Sequence, residues 1–288
     1  MIALVGIIVV LCSVLGGFAM AHGPFHVLLA YSEWVVIVGT ALGTMLVSTP
    51  GSVMKSMGRK LKAVFAKKRF DRQLYLEALK MLYELFQVAR KDGLVAIESH
   101  IEGPDKSSIF KKYPTVLDNH HAMEFLCDSL RLVLVGSVPP HDLEAMMEAE
   151  MDVHHEEEAM AVSALTKVSD ALPGIGIVAA VLGIVVTMGA VNGPIEEIGH
   201  HVASALVGTF LGILLSYGFL APLATNIELL NHAESRYYAF LKSSVVAFAK
   251  GFAPIVATEF ARRAIYSEVR PTFQEMETAC KQAAKKDK

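Results

Sequence analysis

The sequence predicts an all-α integral membrane protein, with four transmembrane helices and a large helical cytoplasmic domain. Three observations lead there. Four apolar stretches, Ile2 to Met20, Val27 to Val47, Leu172 to Val191 and His201 to Leu223, each run for about 20 residues. That is the length a helix needs to cross a hydrocarbon core of roughly 30 Å. The composition is 53% hydrophobic with a mean hydropathy of +0.44, too apolar for an ordinary soluble chain, while 19% charged residues leave room for a substantial soluble part. Lys and Arg are gathered between the second and third stretches and after the fourth, and are absent from the two short links.

Each element follows in order. The first stretch starts at once after Met1, without the positive region of a secretory signal, so Ala19-Met-Ala21 is read as part of a retained helix, a cleaved signal being the alternative. The second carries Trp34 at its start, which suits an interface, and Gly39-Thr-Ala-Leu-Gly43, small residues four apart that let helices approach closely. Glu33 there is either an interfacial carboxylate holding water or a neighbouring helix, or a functional ionisable group. The next segment carries Lys55, Arg59, Lys60, Lys62, Lys67, Lys68, Arg69 and Arg72. The positive-inside rule places it in the cytoplasm with the tail and both termini.

The long loop reads as helical. Leu74, Ala78, Leu82, Leu85 and Ala89 recur at helical spacing, and Gly93 ends that helix. A shorter helix follows through Ile97 and Glu98. Pro139-Pro140 breaks the chain, and Asp142 is placed as the cap of a long acidic helix from Leu143 to Asp170 that runs into the third span. The fourth span continues as a helix through Asn226 to Lys250. The apolar residues between Phe240 and Val256 are interrupted by Lys242, Lys250 and Pro254, which reads as an amphipathic cytoplasmic helix and not a fifth span. The domains are then 1–49 for the first two spans, 50–170 for the cytoplasmic helical domain, 171–223 for the last two spans and 224–288 for the cytoplasmic tail.

The third span has Gly176 with Ala180 and then Gly183, and the fourth has Gly208-Thr-Phe-Leu-Gly212, again close-packing patterns. Pro173 and Pro222 frame this hairpin on one side of the membrane; they either end helices or kink helices that continue beyond the bilayer.

Several chemistries are excluded. A net charge of −3 argues nothing for nucleic acid, and no phosphate-binding loop suggests a nucleotide. Cys12, Cys127 and Cys280 are too scattered for a zinc site or a disulfide framework. His154-His155-Glu156-Glu157-Glu158 lacks the spacing of a metalloprotease and reads as a solvated helix face; His200-His201 reads as an exposed interfacial pair. No enzyme, metal or cofactor is expected. The last two spans also lack an intramembrane carboxylate. A proton route through lipid needs a group that binds and releases the ion, so an ion-driven role would require a second chain to bring the acid.

Four stretches carry a resemblance: Ala89-Arg-Lys-Asp-Gly-Leu-Val-Ala-Ile-Glu98, Leu172-Pro-Gly-Ile-Gly-Ile-Val-Ala-Ala-Val-Leu-Gly183, Gly208-Thr-Phe-Leu-Gly-Ile-Leu214 and Arg270-Pro-Thr-Phe-Gln-Glu-Met-Glu277. With the two-plus-two arrangement of spans, the chain resembles the MotA subunits of bacterial flagellar stators, within the MotA/TolQ/ExbB proton channel family. The resemblance implies a multi-pass protein of the bacterial inner membrane. It implies a homopentamer around two MotB chains, each supplying an ion-carrying aspartate, and a cytoplasmic loop that pushes on the rotor protein FliG.

On the same grounds Arg90 and Glu98 match rotor-contact positions, and Pro173 and Pro222 match prolines that couple ion passage to movement. Sodium-type relatives carry threonine near the Ala180 position; here the third span reads Ile177-Val178-Ala179-Ala180, and Thr209 on the fourth is a single oxygen donor, so the coupling ion is expected to be H⁺. Ala30-Tyr31 departs from relatives that often have proline before the Ser32-Glu33 pair. An ExbB/TolQ-like energiser of an outer-membrane process is the alternative, disfavoured because those chains resemble three-span proteins.

Overall fold

The structure is a computed structural model that describes residues 2–66 and 70–283, and among these every regular element is helical. The chain divides into two compact units, each assembled from two separated segments: Met1–Lys67 with Glu157–Leu230, and Lys68–Glu156 with Asn231–Lys288. The expected Lys67, Lys68 and Arg69 of the basic segment lie outside the described residues.

The first unit holds the four apolar stretches. Helix α1 is Ile2–Met20, and a short helix α2, Phe25–Leu28, leads to α3, Tyr31–Ser48. The second span thus begins before Val27 and is broken at Leu29 and Ala30, a detail the apolar pattern does not carry. Trp34 donates its ring N–H to the Leu28 carbonyl at 3.4 Å across this break. Pro50 stops α3, and α4, Gly51–Val64, follows. Four helical stretches are long and apolar enough to span a bilayer: Ile2–Met20, Phe25–Ser48, Pro140–Gly189 and Ile195–Ala249. No residue of α1 is buried, and Val181, Leu182, Val185 and Val186 of the third span are all at least half exposed in the single chain. Apolar surface of this kind is at home in lipid or against other subunits.

The second unit begins with α5, Arg72–Asp92, capped by Asp71, which accepts from the Leu74 N–H. It ends at Gly93, whose φ of +92° only glycine adopts without strain. A 3₁₀ turn, Leu94–Ile97, and α6, Glu98–Glu102, follow, then α7, Pro114–Leu117, and α8, His120–Val135. The reading of the loop did not anticipate α8, although its buried Ala122, Met123, Phe125, Leu126 and Leu130 keep helical spacing.

Helix α9 then runs unbroken from Pro140 to Gly189. Its start corrects the expected cap: Pro140 is the first helical residue, where a missing N–H costs nothing, and Asp142 sits inside the first turn, where a carboxylate meets the positive end of the helix dipole. Helix α10, Ile195–Ile213, passes through a π-helical segment, Leu214–Leu220, into α11, Ala221–Ala249. Phe240, Leu241, Val245 and Val246 belong to α11 and are buried in the core of this unit, so they form no separate helix. The chain turns at Gly251 into α12, Pro254–Arg263, and ends the described part with α13, Phe273–Ala283.

Aromatic packing organises that core. Phe86 stacks on Phe248 with centroids 4.3 Å apart and planes 3° from parallel, while Tyr75 packs against Tyr237 and Phe240. Glu84 is buried, but the Tyr113 hydroxyl donates to it at 2.7 Å and Lys112 pairs with it at 3.2 Å. Burial pushes the thiols of Cys127 and Cys280 up to about 12, which leaves little reactive thiolate. Phe86→Ala removes one half of the stack at a fully buried site. It is expected to lower stability by about 3–5 kcal/mol, read as an earlier thermal transition of the detergent-solubilised protein.

Candidate functional site

The site is built where α9 crosses α10. Leu172, Gly176, Ala179 and Gly183 lie on one face of α9 by their spacing of four and three residues. A Cβ added to Gly176 would stand 2.8 Å from the Gly208 carbonyl oxygen and 3.3 Å from the Thr209 Cα. One added to Gly212 would stand 2.6 Å from the Leu172 carbonyl oxygen and 2.9 Å from the Gly176 Cα. Gly183 has the same relation to Ala205, at 2.6 Å from its Cβ. At Gly176 and Gly212 the two backbones therefore touch with no side chain between them, while at Gly183 the small Ala205 side chain fills the gap.

Gly208 meets the Ala180 backbone nitrogen at 3.3 Å by the same measure, so Ala180 and Thr209 sit on either side of this crossing, both half-buried. The expected lining is not uniform: Ile177 and Val178 are exposed, whereas Ala179 is fully buried against α10. Gly39 and Gly43, singled out by the same spacing, face open space within the chain.

Neither proline ends a helix. Pro173 lies inside α9, and Pro222 lies within the continuous stretch Ile195–Ala249. Having no N–H, Pro173 leaves the Ser169 carbonyl without its intrahelical donor. The π segment precedes Pro222, and there the Ala221 N–H reaches back to the Ser216 carbonyl. The Ser169 hydroxyl donates to that same carbonyl at 3.3 Å and lies 3.3 Å from the Ser216 hydroxyl. Both serines are fully buried. A polar bond thus joins the two helices beside both prolines, at a π segment of the kind often found at functional sites. Ser169 carried no signal in the sequence beyond its place one helical turn before Pro173.

Glu33 is the second residue that the structure raises above its sequence signal. It is 5% exposed, and its Oε2 finds no hydrogen-bond partner among the described residues. A Cβ on Gly208 would come 2.7 Å from that oxygen, so the absence of a side chain there makes room for the carboxylate. Arg90 and Glu98 lie elsewhere, in the second unit, and both are exposed. Arg90 closes the end of α5, where its Nη1 donates to the Gly251 carbonyl at 3.2 Å, and Glu98 opens α6.

Comparison with known proteins gives this geometry a context. Residues 4–93 match the motility protein A N-terminal family, and residues 118–239 match the MotA/TolQ/ExbB proton channel family. Motility protein A of Escherichia coli strain K12 is 37% identical over 277 residues, 96% of this chain and 94% of that protein. The chain belongs to the motility protein A family. Chemotaxis protein LafT of Vibrio parahaemolyticus is 35% identical over 272 residues, 94% of this chain and 95% of that protein.

The fold agrees with the solved structure of C. jejuni MotAB, at a TM-score of 0.75 and 19% identity over 92% of this chain and 96% of that one. It agrees also with the flagellar MotAB stator complex from Bacillus subtilis, at a TM-score of 0.72 and 22% identity over 89% of this chain and 92% of that one. With its four apolar spans the chain is an inner-membrane protein and a flagellar stator subunit.

The crossing of this motility protein A relative makes a sharp contrast between glycines. Gly212→Ala drives a Cβ into backbone that no rotamer change can clear. It is expected to cost about 1–3 kcal/mol and to lower the thermal stability of the purified protein along with motility. Gly39→Ala meets nothing within 4 Å and is expected to leave the unfolding temperature of the purified chain unchanged.

Proposed function

We propose that this stator subunit forms the wall of a proton path whose ion-carrying acid is supplied by a MotB chain, and that proton passage is converted into torque on FliG. The observation that carries the reading is the α9–α10 crossing: two spans packed closely at glycines, neither ended at its proline, and without an acid of their own along Leu172 to Val191 and His201 to Leu223. Glu33 lies on α3 and packs its carboxylate against Gly208 at this crossing, so we assign it to the wall and the ion-carrying acid to the partner chain. The solved relatives are MotAB complexes, which supports MotB as the partner. The assembly we propose is a homopentamer around two MotB chains, in contact with membrane lipid, with both termini in the cytoplasm by the positive-inside rule.

In this reading 50–170 and the tail form the cytoplasmic domain, and 171–223 lines the path. Pro173 and Pro222 let the helices bend where the Ser169–Ser216 contact joins them, so a small change beside the path swings the longer helical arms. Arg90 and Glu98 present their charges to FliG. The ion is H⁺: a proton needs a carboxylate and a chain of water, whereas Na⁺ needs several oxygens, and the Ile177 to Ala180 stretch offers no hydroxyl.

Three outcomes are expected. In liposomes, proton flux appears with a partner bearing its membrane aspartate and is absent with this chain alone; robust flux from the chain alone would sink the proposal. Swimming persists when external Na⁺ is replaced by K⁺ at fixed membrane potential and stops with a protonophore, and the opposite pattern assigns the ion as Na⁺. Arg90→Glu lowers stator recruitment, and a compensating charge change on FliG partly restores it. Since Arg90 also holds the Gly251 carbonyl, the compensation is what separates docking from a local folding defect.

A further inference from the structure

We propose that α4 carries a binding site for anionic phospholipid headgroups of the leaflet it adjoins. The helix reads Gly-Ser-Val-Met-Lys-Ser-Met-Gly-Arg-Lys-Leu-Lys-Ala-Val and contains no acidic residue. Its cations divide into two roles. Lys60 is paired with Glu158, which pins the helix to the first unit. Lys55, Arg59 and Lys62 are exposed and have no ion pair among the described residues. Their spacing of four and three residues puts all of them on a single stripe.

The opposite face holds Met57 and Val64, buried with Ala161, Leu165, Ala224 and Ile227. That cluster fixes the depth of the helix. Ala3 at the start of α1, Met45 near the end of α3, and Leu220 and Leu223 near Pro222 all pack against it. These are the ends of membrane spans, and only Thr49 and Pro50 separate α3 from α4. A stripe of unpaired cations held at the mouth of four spans stands at headgroup level.

The occupant follows from charge and depth together. A negatively charged leaflet attracts juxtamembrane cations at a strength of roughly fivefold in affinity for each Lys or Arg near the surface. The three unpaired cations together give roughly a hundredfold. A phosphodiester headgroup suits both types: Lys meets it as a point charge, and Arg59 can offer two parallel donors. Orientation alone would need positive charge somewhere in the loop. It would not need that charge aligned on one exposed face of a helix whose other cation is already committed. The site rests on the membrane arrangement proposed above, with α4 on the cytoplasmic side.

The test uses the protein purified with its partner and placed in nanodiscs of phosphatidylcholine, alone or mixed with phosphatidylglycerol, with retained lipid counted by native mass spectrometry. The wild type is expected to retain phosphatidylglycerol over phosphatidylcholine and to release it as salt is raised. The triple variant Lys55→Gln, Arg59→Gln, Lys62→Gln should lose that preference at least tenfold, by the same per-cation scale. Lys55→Arg with Lys62→Arg should keep it.

Equal retention by the triple variant, or no preference in the wild type, overturns the site. Displacement by inorganic phosphate overturns the lipid assignment. Should the triple variant fail to insert, the wild-type preference and its salt release still decide. Labelling of Ser52→Cys in whole cells against inverted vesicles reads the side of the membrane separately. A lipid preference with α4 on the outer side refutes the arrangement, and α4 on the inner side without a preference refutes the site.

Discussion

The contact on which the rest depends is the backbone approach of α9 to α10. Lipid tails are as apolar as the side chains of a membrane helix, so helices in a bilayer gain little from hiding Leu or Val. Association must come from close fit, and here Gly176, Gly208 and Gly212 let main chain meet main chain. The same closeness gives Glu33 its place, since it occupies the space that a side chain at position 208 would fill. The position of the Ser169–Ser216 bond is equally tied to it, because two serines reach each other only across helices that already touch.

Much of this was legible in the residues. The four spans follow from apolar length, α5 from the recurrence of Leu74, Ala78, Leu82 and Leu85, and its end from Gly93. Spacing alone, however, did not distinguish the glycines that pack from those that face outward. Gly39-Thr-Ala-Leu-Gly43 and Gly208-Thr-Phe-Leu-Gly212 share one pattern, yet within the chain only the second meets a neighbour. A four-residue period says that a helix has a smooth face and does not say what that face touches. Helix α8 was missed because its sequence lies among short 3₁₀ and single-turn pieces that break the periodic signal on its N-terminal side. The cap at Asp142 was misplaced by a familiar competition: a proline at the first helical position begins a helix as well as an acid does.

Two residues were visible in type but not in weight. Glu33 read as either an interfacial carboxylate or a functional ionisable group, and its burial and its oxygen without a partner among the described residues give it weight. Ser169 had no distinguishing feature at all. What gives it meaning is the carbonyl that Pro173 leaves without a donor and the π register ahead of Pro222, and both are properties of the folded helices.

The division of the chain bears on how the protein is made. Each compact unit is closed by a segment synthesised long after its first one: the core around Tyr75 and Phe86 waits for Tyr237, Phe240 and Phe248, and α3 waits for α10. During translation the early helices therefore carry apolar surface on α3 and α5 that stays uncovered until α10 and α11 are made. Chains cut short after Leu223 would keep their apolar spans and lack the residues from Tyr237 to Cys280 that close the core of the second unit.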